Sequence, residues 1–177
     1  MPTNIEIKAQ ASDWDAQLHK AQALASSREE LVQEDIFFNC LQGRLKLRML
    51  GDGKACLIFY RRPDVAGPKA SEYEIIPVAD SRAMLKVFSS AMGEFCRVYK
   101  RRTVFHCGQT RIHFDDVKGL GHFIELEVVL DVSQTQTEGQ AIAQDLMAQL
   151  GIQSTDLIES AYADLLLALS TRSMTGK

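Results

Sequence analysis

The segment from Arg111 to Glu127, RIHFDDVKGLGHFIELE, constrains the fold more than any other part of the chain. It reads as two β-strands joined at KGLG, where Gly119 and Gly121 supply the turn, and each strand carries its charge on one face only. Side chains alternate between faces along a strand. In the first strand Arg111, His113 and Asp115 therefore share one face, and Ile112 and Phe114 the other. In the second, Glu125 and Glu127 lie opposite Ile124, Leu126 and Val128. A half-exposed sheet with charges facing water alternates in the same way, so these two strands alone leave that reading open.

The same pattern recurs elsewhere. NIEIK puts Asn4, Glu6 and Lys8 on one face and Ile5 and Ile7 on the other. GRLKLRML sets Arg44, Lys46 and Arg48 against Leu45, Leu47 and Met49, and VYKRRTVF brings Lys100 and Arg102 together. These faces are sorted into basic and acidic sets, where surface strands usually mix signs. Like charges at every second residue repel one another unless something anionic lies among them. The sorting implies a ligand.

With 177 residues, of which 46% are hydrophobic, the chain predicts one domain with a substantial core, spanning 1–170, and a frayed tail at 171–177. A formal charge of −3 gives no bulk attraction to nucleic acid or to an anionic membrane, so any basic site is local. No apolar run approaches the roughly 20 residues that span a bilayer. MPTNIEIK lacks an apolar signal region, and the expectation is a cytoplasmic protein with neither membrane nor nucleic-acid partners. Cys40, Cys56, Cys96 and Cys107 show no CxxC spacing and read as small core residues rather than a zinc site or a redox pair.

Strands are expected at about residues 3–10, 33–40, 43–50, 55–62, 70–78, 97–106, 109–116 and 122–130. Ser12 is the expected cap of a first helix reaching Leu24 or Ala25, and Asp80 or Ser81 that of a second, stopped at Gly93. Thr137 or a neighbour begins a third, ended by Gly151. Ser154 or Thr155 begins the last, with Leu157, Ile158, Ala161, Leu165 and Leu169 facing the body. Strands joined mostly by hairpins, with about four helices, make an α+β domain whose eight-stranded antiparallel sheet can close into a barrel. The helices can cover only the outside of such a barrel, so the apolar faces point outward and the charged faces line the bore.

An isolated buried charge costs several kcal/mol, so such a lining is tenable only when hydrated, or loaded with paired charges and ligand. The basic set, Arg44, Lys46, Arg48, Arg62, Lys100, Arg102 and Arg111, can neutralise a polyanion with several phosphates; strand parity selects Arg62 over Arg61. The acidic set, Glu6, Asp115, Glu125 and Glu127, offers hard oxygen donors suited to Mg²⁺ or Mn²⁺. Together the two sets describe a metal–triphosphate site.

These segments resemble the CYTH family, the triphosphate tunnel metalloenzymes. NIEIK is similar to its ExExK signature; QEDIFF, GRLKLR, LIFYRRPD, KRR and RIHFDDVKGLGHFIELE follow in the family's order; SAYADLL resembles its C-terminal helix. The resemblance implies an eight-stranded antiparallel tunnel and a divalent-metal enzyme acting on a small-molecule triphosphate, in a form compatible with a homodimer. The leading expectation is a class IV adenylate cyclase, converting ATP to cyclic AMP and pyrophosphate. A triphosphatase acting on thiamine triphosphate, inorganic tripolyphosphate or a nucleoside triphosphate is the alternative. A non-catalytic polyphosphate-binding module is the third reading.

Carried over by position, Glu6 matches the second glutamate of ExExK and Lys8 its lysine, while Glu125 and Glu127 match the paired metal-binding glutamates, with Asp115 as a third acidic contributor. Lys8 and the basic set match phosphate-cradling positions, and Lys8, Arg62 and His113 are the expected catalytic residues. His113 is expected to meet metal-bound water or a phosphate, or simply to hydrogen-bond a neighbouring carboxylate. Two departures stand out. Asn4 replaces the first ExExK glutamate, which calls a two-metal site into question and motivates the third reading. Phe37 and Phe38 occupy the stretch where some triphosphatases carry a tyrosine that pairs with a lysine, leaving Tyr60 or Tyr73 as substitutes.

Overall fold

The computed structural model describes residues 3–175. The elements run β1 (Thr3–Gln10), α1 (Trp14–Leu24), β2 (Ser27–Phe38), β3 (Arg44–Leu50), β4 (Ala55–Arg61), β5 (Lys69–Val78), α2 (Ser81–Met92), β6 (Glu94–Cys107), β7 (Thr110–Val117), β8 (Gly121–Val129), α3 (Gln136–Leu150), a single 3₁₀ turn (Ser154–Asp156) and α4 (Tyr162–Thr175). The strands pair antiparallel in the order β1-β5-β4-β3-β2-β6-β7-β8 and close into a barrel. Closure leaves a bore and an outer surface, and the period-two alternation of each strand divides its side chains between them.

The outer surface carries the core. Ile7, Phe105, Ile112, Phe114, Ile124 and Leu126 are buried beneath α1 and α3, which contribute Ala21, Leu146 and Leu150. On the far side α2 lays Met84, Leu85, Phe88 and Met92 over Ile36, Phe38, Leu47 and Ala55. The helix α3 lies so close to β1 that a Cβ at Gly139 would fall 2.6 Å from Cγ1 of Ile5, which explains a glycine inside a helix.

Several boundaries differ from expectation. The strand β2 begins at Ser27, because SREELV, which has no apolar alternation, pairs with β6 from Arg101 to His106. The cap of α1 is Asp13, whose carboxylate accepts the Ala16 N–H, while the Ser12 hydroxyl lies 3.4 Å from Asp156. The cap of α3 is Thr135, in a reciprocal pair with Glu138. Ser154 does not begin the last helix. Asp156 accepts the Gln153 N–H and closes one turn, Leu157 bridges to Ala9, and the Ile158 N–H donates to the Lys8 carbonyl. The chain thus lies along β1 before α4 starts at Tyr162, and the helix then continues to Thr175, across most of the stretch expected to fray. Residues 176–177 of that stretch lie outside the described residues.

The four cysteines are free and only partly buried; Cys96 and Cys107 pack at the margins of apolar clusters rather than inside them. Among the described residues no helix is long and apolar enough to cross a membrane.

Candidate active site

The bore encloses a cavity of about 270 Å³. One end is covered by the segment from Ile158 to Asp164, with Ala161 and Tyr162 at the cavity floor. Cross-strand partners share a face, so each charged strand meets the next: Glu6 faces Glu127 and Lys8 faces Glu125 across β1 and β8, while Arg111 faces Glu127 and His113 faces Glu125 across β7 and β8.

Of the residues expected at the site, Glu6, Lys8, Lys46, Arg48, Arg62, Lys100, Arg102, Arg111, His113, Glu125 and Glu127 all line the cavity. Arg62 is turned inward, with its side chain 5% exposed, whereas Arg61 is exposed and donates to Gln42 outside. Two expected residues do not reach the bore. Asp115 is fully buried behind it, where Arg102 donates to both of its oxygens at 2.6 Å and Lys100 and the Tyr162 hydroxyl lie at 3.3 and 2.9 Å. Its oxygens are saturated from within the protein. Arg44 opens β3 at the covered end, past the cavity floor, where it donates to Asp64 at 2.9 Å and Asp164 at 2.8 Å and lines a separate crevice.

The acidic wall is formed by β1, β7 and β8. Glu125 pairs with Lys8 at 2.6 Å and Arg102 at 2.5 Å, and Glu127 with Arg111 at 3.0 Å. Burial opposes ionisation of Glu125, but Lys8 and Arg102 overcome it and hold the carboxyl well below its usual range. At Glu127 burial is likewise outweighed, with Arg111 and Arg102 beside it, and the carboxyl stays low. Glu6 behaves oppositely: burial raises it, Arg62 opposes this, and the neighbouring Glu127 and Glu125 raise it further. His113 is held neutral by burial and by Arg102. Its Nδ1 and Nε2 stand 3.7 and 3.8 Å from Glu125 and Glu127, too far for hydrogen bonds, so the expected carboxylate contact is not made.

One donor atom each from His113, Glu125 and Glu127 falls within 4.8 Å of the others, a grouping that could hold a metal ion. Buried Oδ1 of Asn4 and Nδ1 of His113 lack hydrogen-bond partners, and Oε1 of Glu6 meets only the Arg62 guanidinium, at 3.3 Å. Unpartnered buried polar atoms beside ionised carboxylates fit a hard divalent cation.

The basic wall contains a residue that sequence reasoning passed over. Asp35 on β2 is 2% exposed and accepts from Lys46 at 2.9 Å and from Arg48 twice at 2.7 Å. Its parity with Gln33 and Phe37 was the available signal. Lys69 was also missed, since it falls one residue before the expected start of its strand. It is buried at the level of Glu6, donating to the carbonyls of Val65 and Glu159, and burial together with Arg62 lowers its pKa to about 8. Burial and Arg102 lower Lys100 to about 7. Among the described residues, eight cationic side chains and five carboxylates line the cavity, a surplus suited to a polyanion.

Part of the remaining wall is apolar. On β4 and β5, Ile58 pairs with Ile75 and Tyr60 with Tyr73, and all four line the cavity. Lys46 sits between the rings of Phe37 and Tyr60, 5.3 and 5.5 Å from their centroids. Burial pushes the Tyr60 phenol well above its ordinary range, which leaves it a hydrogen-bond donor rather than a base.

Residues 2–162 match the profile of the CYTH domain. The adenylate cyclase CyaB of Aeromonas hydrophila is 25% identical over 173 residues, covering 91% of this chain and 87% of that protein. Among solved structures, a protein of Pyrococcus horikoshii superposes with a TM-score of 0.80 at 22% identity, over 92% of this chain and 98% of that one. A Hippeastrum protein studied as an adenylyl cyclase, and showing a dominant triphosphatase activity, superposes with a TM-score of 0.59 at 17% identity, over 95% and 96% of the two chains. A tunnel sorted into acidic, basic and apolar walls, and a profile match over nearly its whole length, identify this chain as a member of the CYTH family, whose enzymes are in general metal-dependent.

Proposed function

We propose that this chain is a divalent-metal-dependent enzyme of the class IV adenylate cyclase type, converting ATP to cyclic AMP and pyrophosphate within the barrel. The observation that carries the reading is the excess of cationic side chains facing the His113, Glu125 and Glu127 group across one cavity. The apolar strip of Ile58, Tyr60, Tyr73 and Ile75 has no use for an inorganic polyphosphate and offers an organic group a surface. That favours a nucleotide, and the cyclase name of the curated relative supports the same choice.

Lys46, Arg48, Lys100, Arg102 and Arg111 cradle the phosphate oxygens and offset the charge that gathers on the leaving pyrophosphate. Lys8 keeps Glu125 ionised against burial, whereas Arg62 offsets only part of the burial that raises Glu6. Mg²⁺ or Mn²⁺, held by Glu6, Glu125 and Glu127, would supply further positive charge to the phosphate oxygens. The ribose 3′ oxygen bonds to the α-phosphorus, and the bond from that phosphorus to the bridging oxygen breaks. Nδ1 of His113, buried and without a partner, is the acceptor for the hydroxyl proton.

Product analysis tests this. The purified protein is incubated with Mg²⁺ or Mn²⁺ and, separately, with ATP, thiamine triphosphate and tripolyphosphate. Cyclic AMP with pyrophosphate supports the proposal. Orthophosphate would replace it with a triphosphatase, and tight binding without product would replace it with a polyphosphate-binding module.

A further inference from the structure

The floor of the cavity is an aromatic residue whose hydroxyl does something its ring does not require. Tyr162 opens α4, is 5% exposed, and packs edge-on against Phe123 with ring centroids 5.0 Å apart. A phenylalanine would fill that space equally well. The hydroxyl instead donates to Oδ2 of Asp115 at 2.9 Å, and Asp115 grips Arg102 through both oxygens and Lys100 through one. Arg102 continues to Glu125. The Lys8 ammonium sits 3.3 Å from the centroid of the Tyr162 ring while pairing with Glu125, so the same side chain underlies both routes to that carboxylate. The phenol is held in its protonated, donating form by burial and by Glu125 and Asp115.

We infer that Tyr162 is a positioning residue for the triphosphate: acting through Asp115, it fixes Arg102 and Lys100 in the orientation that receives the phosphates. The inference rests on the triphosphate reading of the bore. Arg102 and Lys100 have rotatable stems, and a carboxylate anchored from the helix side removes that freedom before the anion arrives. The final helix thereby becomes part of the binding site without touching the ligand through its own backbone.

The test is a double-mutant cycle read by calorimetric binding of metal-free tripolyphosphate. Loss of one hydrogen bond to a charged group predicts about tenfold weaker binding by Tyr162→Phe. In an Asp115→Asn background the same substitution is expected to cost less than about twofold, since its route is already cut. Phe123→Leu, at the register partner of Asp115, loosens the packing of the Tyr162 ring while leaving the hydroxyl-to-carboxylate bond in place, and is expected to lower the melting temperature while leaving affinity nearly unchanged. In the unaltered protein, saturation with tripolyphosphate is expected to slow hydrogen exchange in α4 severalfold. Equal affinity of Tyr162→Phe and wild type, additivity in the cycle, an equal loss in Phe123→Leu, or unchanged exchange in α4 would each overturn the inference while leaving the triphosphate reading intact. No binding by the wild type would overturn both.

Discussion

Asp35 and Arg48 face each other as register partners on β2 and β3 and are joined by two hydrogen bonds of 2.7 Å, with Lys46 completing the cluster at 2.9 Å. Burial opposes the charge on Asp35, and Arg48 and Lys46 hold it ionised well below the usual carboxylate range. Asp35 is thus the resident counter-ion of cations that also face the cavity. Asp35→Asn leaves those cations uncompensated, and breaking a buried pair of this kind is expected to cost about 3 kcal/mol, or roughly 6–12 °C in Tm. Tripolyphosphate should then restore more stability to the variant than it adds to the wild type, because the anion supplies the missing charge. Thermal scans with and without the anion check this; equal increments would mean that Lys46 and Arg48 do not meet the ligand.

Glu125 and Glu127 are held ionised by cations that would otherwise repel a metal ion. Glu125→Gln and Glu127→Gln are each expected to reduce metal-dependent turnover at least a hundredfold, on the order of the loss that accompanies a misassembled metal site. Binding of Mn²⁺, followed by its magnetic resonance signal, should weaken in parallel. Near-wild-type turnover in both variants would contradict the assignment of these carboxylates to the metal.

How much of this was legible in the sequence depends on what each position needed. The barrel was, because closure requires that the strands alternate, and the runs from Arg111 to Asp115 and from Ile124 to Val128 both do so. The inward set was largely legible for the same reason: one parity choice at Arg62 or at His113 fixes the whole strand. Parity gives no depth along the bore. It therefore grouped Asp115 with Glu125 and Glu127, although Asp115 lies behind Arg102, and grouped Arg44 with Arg48, although Arg44 lies past the floor. Tyr162 was invisible as a site residue because it arrives from a helix, over the end of the barrel, where no strand pattern points. The start of β2 was missed because its polar residues are held by pairing with β6 rather than by burial of an apolar face.

That difference in depth makes two arginines of one strand separable. Arg48 lines the cavity, and Arg48→Ala is expected to weaken triphosphate binding by about tenfold or more, the cost of losing one charge-assisted contact. Arg44 instead joins β3 to Asp164 in α4 and to Asp64. Arg44→Ala is therefore expected to act first on stability, lowering Tm while changing affinity by less than about twofold, since it removes a partly exposed pair at the covered end. Isothermal calorimetry and a thermal scan on both variants decide the matter; a larger affinity loss in Arg44→Ala than in Arg48→Ala would reverse their placement.

Binding should also move protons, in a direction that two lysines fix. Burial and neighbouring arginines lower Lys100 to about 7 and Lys69 to about 8, so at pH 8 the first is mostly neutral and the second half so. A polyanion in the bore favours the charged form of each and raises both values. The complex then holds more protons than its separated partners, which means that binding takes up protons at pH 8 and tightens as pH falls from about 9 toward 7. ATP is the suitable probe, since its terminal phosphate titrates near ~6 and stays ionised there. Calorimetry in buffers of different ionisation enthalpy should give an uptake of about one proton at pH 8, reduced in Lys69→Met and in Lys100→Met. No uptake would mean that the lysines of the bore are already charged before the anion enters.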